Sequence, residues 1–79
     1  MYKTKEEAEK IDLSIYKSGL ELYEKDNLIG TIQGAGVKEH VENEITYYAP
    51  VVTVTQQNGE PIDIYAHELI KYTLKDPTS

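Results

Sequence analysis

Two runs of alternating apolar and polar residues, joined across Gln57, Asn58 and Gly59, form the clearest pattern in the chain. An Asn-Gly step between such runs usually predicts a two-residue turn, but that register leaves each face of the hairpin only half apolar. A three-residue loop with Gly59 in the left-handed region pairs Val54 with Ile62 and makes one face uniformly apolar. Because a one-residue slip turns every side chain over, we predict the three-residue loop.

The same loop length aligns the two alternating runs on either side of Lys25-Asp26-Asn27. With Asn27 in the left-handed conformation, Leu22 pairs with Gly30. Gly30 then lies within a strand, where a glycine marks a bulge, sharp coiling or the close approach of another backbone. We therefore expect this strand to curl, as it would in a small barrel.

The N-terminal residues predict a short helix. Thr4 and Glu7 have the spacing of a capping box, so a helix should begin at Lys5. The apolar residues that follow fit both a strand and a continued helical stripe. We predict a helix over residues 5–10 followed by a strand over residues 11–16; the alternative is one longer helix over residues 5–17 in an α+β fold.

The rest of the chain gives weaker signals. Residues 37–43 are mostly polar and charged around a single Val41, which is typical of an exposed loop. Pro50 lacks a backbone donor, so it predicts an edge position or a bulge in the strand around it. Residues 66–69 can form one helical turn and residues 70–74 a last short strand.

These elements predict one mainly β domain over residues 1–79, with about five antiparallel strands. Residues 1–10 would form an N-terminal cap or helix, residues 11–74 the β core, and residues 75–79 a frayed tail. We expect either a small closed barrel or a strongly curled sheet, preceded by the short helix.

The order of meandering strands, polar loop, tight hairpin, helical turn at AHEL and last strand IKYTL resembles the SH3-like small β-barrels. The resemblance covers residues 20–74 and rests on spacing and glycine placement. It implies a binding module that holds its partners on the surface between its loops. The chain has no tryptophan and no ALYDY-like signature, so no functional residue is carried over.

Charge and composition narrow the functional classes. The net charge is −6, with 14 acidic residues against eight lysines and no arginine. Since arginine makes the bidentate contacts that read guanine and phosphate, sequence-specific nucleic-acid binding is not expected. The chain has no cysteine and no apolar run long enough to span a membrane. We therefore expect a cytoplasmic protein with no membrane partner.

One cluster has the residue types of a metal site. His40 with Glu39, Glu42 and Glu44 offers nitrogen and oxygen ligands. Only one histidine is present, however, and a solvated run of charges is the better interpretation. We predict no bound metal.

Two further patterns could indicate catalysis or a cofactor. His67 beside Glu68, with Asp63, has the residue types of a base and its orienting carboxylate, but no nucleophile can be placed beside them. The glycines of residues 30–36 match neither a dinucleotide-binding fingerprint nor a Walker loop. We predict a non-enzymatic protein with no catalytic residue and no cofactor.

Seven tyrosines, with no phenylalanine or tryptophan, are the most informative feature for function. Tyrosine is enriched at protein interfaces, where its ring is buried and its hydroxyl finds a partner. We predict a protein–protein interaction module. Its candidate interaction residues are the adjacent tyrosines and the acidic cluster, namely Tyr47, Tyr48, Glu39, His40, Glu42 and Glu44.

Three versions of the function stay open at this point, of which the third is a component of a larger assembly, such as a minor structural subunit. One is a small acidic inhibitor or adaptor encoded by a phage or another mobile element, because such domains can occupy a basic groove by charge complementarity. The alternative is a module that binds a small ligand or nucleotide near residues 34–38, assembled across a homodimer interface.

Overall fold

A computed structural model describes residues 2–77 and shows a β-rich fold. Five antiparallel strands form one sheet in the order β4-β3-β2-β1-β5, and the sheet is not closed. The prediction of a mainly β fold with a short N-terminal helix is confirmed. In chain order, the elements are α1 (Lys5–Glu9), β1 (Glu21–Glu24), β2 (Asn27–Glu42), β3 (Ile45–Gln56), β4 (Pro61–Tyr65), a 3₁₀ helix (Ala66–Lys71) and β5 (Thr73–Lys75).

The hydrophobic core covers one face of the sheet. Leu22, Ile32 and Val54 come from the three central strands and are essentially inaccessible to solvent. Ile64 of β4 and Leu69 of the 3₁₀ helix are also buried there. No polar or charged side chain is buried among residues 2–77, so the core needs no polar partner.

The register of the central hairpin is the predicted one. Val54 lies opposite Ile62, and Gly59 has φ of +89°. The loop is closed by a hydrogen bond from the Gln56 N–H to the Glu60 oxygen, 3.0 Å long. Asn58 accepts from the Glu60 N–H at 2.9 Å and so stabilises the turn.

Gly59 and Asn58 should therefore differ in their cost on replacement. We expect Gly59→Val to lower the free energy of unfolding by about 2 kcal/mol, because a β-branched residue at this positive φ is strained. Asn58→Ala loses one exposed hydrogen bond and should cost about 0.5–1 kcal/mol. Denaturant melts of the two variants measure the difference; equal costs would contradict the loop assignment.

The first hairpin differs from its prediction at the turn. Glu24 lies opposite Asn27, so the loop has two residues and Lys25, with φ of +55°, takes the left-handed conformation assigned to Asn27. The expected pair of Leu22 with Gly30 is nevertheless present. An extra residue in β2, Ile29, forms a bulge that offsets the shorter loop.

The segment after α1 is neither the predicted strand nor part of a longer helix. Thr4 caps the helix by accepting from the Glu7 N–H at 3.2 Å, as predicted. Helical structure ends at Glu9, and residues 10–20 form turns and irregular backbone. The spacing of their apolar residues reflects neither a strand nor a helix. Leu13 and Tyr16 pack onto the core from this irregular segment.

Pro50 has the edge position that its missing donor predicts. β4 ends with Tyr65 opposite Val51, so no β4 residue lies beside Pro50. Two residues before Pro50 in β3, Tyr48 donates its N–H to the Tyr2 oxygen at 2.7 Å and accepts from the Tyr2 N–H at 2.8 Å. This edge of β3 is therefore covered on both sides of the proline.

The C-terminal strand is shorter than predicted. The 3₁₀ helix continues through Lys71, so β5 begins only at Thr73. Lys75, the first residue of the predicted frayed tail, pairs with Glu21, while residues 78 and 79 of that tail lie outside the described part of the chain. Within residues 2–77, no helix is long and apolar enough to cross a membrane.

Candidate functional site

A two-stranded arm, defined as residues 37–50, extends beyond the neighbouring strands. It joins the second half of β2 to the first half of β3 by a two-residue turn at Asn43 and Glu44, with φ of +52° and +66°. The predicted loop over residues 37–43 is therefore wrong, because this stretch is strand through Glu42. Its charged residues are compatible with a strand since much of the arm is exposed to solvent.

The arm brings the six predicted interaction residues together but divides them between its faces. Residues directly opposite in an antiparallel pair share a face. Glu39 lies opposite Tyr48 on one face, and His40 lies opposite Tyr47 on the other. Glu42 shares the face of His40 because the two are separated by one residue in the strand. Glu44 lies in the turn at the tip.

Two aliphatic residues at the tip were missed as interaction candidates. Val41 is 62% exposed and Ile45 is 50% exposed, and they are two of the four large apolar side chains that are exposed among residues 2–77. They lie on opposite faces, Val41 with Tyr48 and Ile45 with Tyr47, so each face carries a half-buried tyrosine and an exposed aliphatic group. The sequence feature that could have identified this site is Val41, a single valine within a charged segment.

The side chains of the acidic cluster do not converge on one point. The closest approach is between His40 Nε2 and Glu42 Oε2, at 3.7 Å, and both side chains are largely exposed. Among residues 2–77, no three histidine, aspartate or glutamate side chains converge as metal ligands. Charge on the arm is dominated by Glu39, Glu42 and Glu44.

Lys38, the only lysine of the arm, has a partner on β4. Its Nζ donates to Asp63 Oδ2 at 3.0 Å, and Thr53 Oγ1 donates to Asp63 Oδ1 at 2.7 Å. The hydrogen bond from Thr53, followed by that from Lys38, lowers the pKa of Asp63. The same contact with Asp63 raises the pKa of Lys38. The lysine charge is thus engaged within the chain, whereas the glutamates of the arm face solvent.

This contact predicts a pH dependence of stability. A carboxyl group whose pKa is lowered on folding stabilises the fold above its unfolded pKa, and that contribution disappears as the pH falls through the lowered folded value. Wild type should therefore exceed Asp63→Asn in stability at pH 7, by less than about 1 kcal/mol because the pair is exposed. The difference should begin to shrink as the pH falls below 3.8, the ordinary pKa of the group, and should vanish once the pH is below the lowered pKa of the folded protein. Chemical melts from pH 2 to 8 measure it, and a constant difference would contradict the assignment.

Two depressions of the surface separate Asp63 from His67 and Glu68, the residues considered above as a base and its orienting carboxylate. His67 lines a pocket of about 520 Å³ beside Pro50 and Tyr65, where its ring stacks on Tyr65 at 5.8 Å. Asp63 lines a second depression of about 460 Å³, together with residues 33–38. His67 approaches Glu68, at 3.8 Å, and the two do not combine with Asp63 in one site.

No family model, curated protein or solved structure matches this chain. Its own geometry therefore supplies the support for a function.

Proposed function

We propose that the protein is a non-enzymatic interaction module that binds another protein through the arm. The observation that supports this most directly is the exposure of Val41 and Ile45 at the tip of a two-stranded extension. Exposed aliphatic groups beside tyrosines and acidic residues match the mixed composition of protein interfaces. The residues of the core cluster lie outside residues 37–50, and within the arm only Ala49 and Pro50 are buried, so the tip of the arm is free to serve binding.

A pull-down with matched isoleucine variants tests this proposal. The tagged chain, Ile45→Asp and Ile70→Asp are used to capture proteins from a lysate of the organism that encodes the chain. Ile70 lies in the 3₁₀ helix outside the arm and is 91% exposed, so it controls for the loss of an exposed isoleucine. We expect a captured protein to be lost at least tenfold with Ile45→Asp and retained with Ile70→Asp. Equal capture by both variants would contradict binding through the arm.

The acidic inhibitor or adaptor is a narrower form of this proposal. The solvent-facing glutamates of the arm favour a basic partner surface. Binding should then weaken as salt is raised from 50 to 300 mM, because exposed charges are screened over a Debye length of about 8–10 Å near physiological salt. A phage or mobile-element origin and a cytoplasmic location belong to the same narrower proposal. Salt-independent binding would argue against it.

The SH3-like resemblance also stays a proposal. It is supported by the observed order of a hairpin, a single 3₁₀ helix and a last strand, and by the pairing of that last strand, β5, with β1. The sheet is not closed, so the resemblance concerns strand order rather than a complete barrel.

A small-ligand site is the second candidate, favoured by the depression over residues 33–38. Gly34 and Gly36 have open space where a side chain would be, and Lys38 and Asp63 lie at the same depression. A thermal-shift screen with nucleotides tests it, with Gly34→Val as the variant that fills the depression. A rise in melting temperature that Gly34→Val abolishes would support this site; no rise would reject it.

A further inference from the structure

One edge of β2 has no neighbouring strand along the arm. β1 pairs with β2 only from Asn27 to Thr31, and the last backbone contacts on this edge join Ile32 to Gly19 and Leu20. Beyond Ile32, β2 continues for ten residues with β3 on its other side alone. The open edge is therefore longer than β1 itself.

The backbone groups that face this edge follow from the hydrogen bonds of Tyr48. Tyr48 directs its N–H and its C=O away from β2, towards Tyr2. In an antiparallel ladder its opposite residue, Glu39, must then direct its own groups away from β3. Alternation along the strand gives the same direction to the backbone of Ala35, Val37 and Val41. Within residues 2–77, none of these four outward-facing residues has a backbone partner on that side.

The two edges of the arm differ in whether they are covered. The β3 edge is closed by Tyr2 and by Pro50, which has no N–H to offer. β2 contains no proline, and among its outward-facing residues Ala35, Glu39 and Val41 are exposed to solvent. An exposed strand edge that neither a proline nor a covering segment blocks is a template for pairing with another extended chain.

We propose that the partner binds as an added strand along β2, through an extended segment that carries lysine or arginine. This inference rests on the proposed function and specifies its mode. The partner's backbone would pair with Ala35, Val37, Glu39 and Val41, as in other cases of strand addition. Basic side chains on alternate positions of that segment would lie beside Glu39 or beside Glu42.

A second copy of the chain fits this edge poorly. Antiparallel pairing of two β2 edges uses all four outward-facing residues only if Ala35 lies opposite Val41 of the other copy. That register is centred on Lys38 and places two lysines directly opposite each other, which is destabilising. Moving the centre to Glu39 opposes two glutamates instead, and moving it to Val37 opposes no like charges but leaves Val41 opposite Gln33, outside the outward-facing set. A basic segment meets neither repulsion and complements the excess of glutamate on the arm.

Amide exchange on the full ¹⁵N-labelled chain tests the pairing. The probe is a pool of nonapeptides in which lysine alternates with randomised apolar residues, and a glutamate pool of the same design is the control. We expect the lysine pool to slow exchange of the outward-facing amides of Val37, Glu39 and Val41 at least tenfold. The glutamate pool should have no such effect.

A proline at an outward-facing position separates strand addition from other binding. Val37→Pro removes a donor that β3 does not use and follows Gly36, so the ladder with β3 should remain intact. We expect it to weaken binding of the lysine pool at least tenfold, whereas Val37→Ala, which loses the same methyl groups but keeps the N–H, should bind within threefold of wild type. If Val37→Pro fails to fold, peptides N-methylated at alternate residues provide the second test. They remove backbone donors from the peptide instead of from β2 and should bind at least tenfold more weakly.

The remaining outcomes overturn the inference in distinguishable ways. Binding of the lysine pool without protection of these amides, or equal binding by Val37→Pro and wild type, would reject strand addition while leaving arm-dependent capture of a partner intact. No binding by the lysine pool, or equal binding of the glutamate pool, would reject the basic segment. A dimer that forms without peptide and dissociates in Val37→Pro would assign the edge to a second copy. Equal capture of the partner by Ile45→Asp and Ile70→Asp would reject the proposed function itself.

Discussion

Replacing Gly30 by alanine should lower the free energy of unfolding by about 3 kcal/mol, because the added methyl group has no room. A Cβ at this position would overlap the backbone carbonyl oxygen of Thr55, and it would lie 2.7 Å from Val54 Cγ1. The valine could adjust its position, but the carbonyl belongs to the central strand β3 and cannot move without disturbing the ladder. A loss of this size is a large share of the stability of a small domain.

Gly34→Ala is the matched control for Gly30→Ala. Gly34 lies in the same strand, and nothing is within 4 Å of its added Cβ. Its free energy of unfolding should therefore change by less than about 1 kcal/mol, with either sign. Urea melts followed by circular dichroism compare the two variants. Similar small changes in both would show that β2 and β3 are further apart at Gly30 than the structure has them.

The sequence was sufficient to mark Gly30 as a special position but not to single it out. Three glycines, Gly30, Gly34 and Gly36, occur in one strand with similar local surroundings in the sequence. What distinguishes Gly30 is its approach to Thr55, which depends on the register of β3. That register shifts at the bulge residue Gln33, for which the sequence has no strong signal.

The two hairpins show when loop rules suffice. For the central hairpin, the burial of one face and the need for a positive φ at Gly59 agree, so the loop was predicted correctly. For the first hairpin, the right pair of Leu22 with Gly30 was reached through the wrong turn. A two-residue loop plus a one-residue bulge gives the same alignment as a three-residue loop, and the apolar pattern cannot tell these apart.

The arm was missed because alternation in a strand reflects the burial of one face. Residues 37–43 have little buried surface on either side, so their sequence has the composition of a loop. The six predicted interaction residues could still be chosen because they are tyrosines or belong to the acidic cluster. Their division between two faces, and the open edge of β2, follow only from the pairing of β2 with β3 and from the contact between Tyr2 and Tyr48.

The separation of core and arm has a consequence for experiments. The buried cluster that holds the sheet together includes no residue between 37 and 50. Substitutions at Val41 or Ile45 should therefore change binding without changing the free energy of unfolding by more than about 0.5 kcal/mol. Stability and partner capture can then be measured as independent quantities.

Truncating Leu22 should greatly lower the free energy of unfolding and, unlike substitutions at Val41 or Ile45, should leave the binding surface of the arm unchanged. Leu22 is fully buried in β1, with Gly30 opposite it on one side and Leu74 on the other. Leu22→Ala should lower the free energy of unfolding by about 3 kcal/mol, from lost transfer energy and the cavity left behind. Because Leu74 loses its cross-strand neighbour, the exchange rates of the β5 amides should rise more in Leu22→Ala than those of the β3 amides.

The exposed Ile70 provides the control for this truncation too. Ile70→Ala removes a side chain that is 91% exposed and should change the free energy of unfolding by less than about 0.5 kcal/mol. Chemical melts give both values, and hydrogen exchange locates the first strand to open. If Leu22→Ala were as mild as Ile70→Ala, the Leu22 side chain could not be fully buried in the core. If β5 and β3 opened together, the sheet would unfold as one unit instead of from its β5 edge.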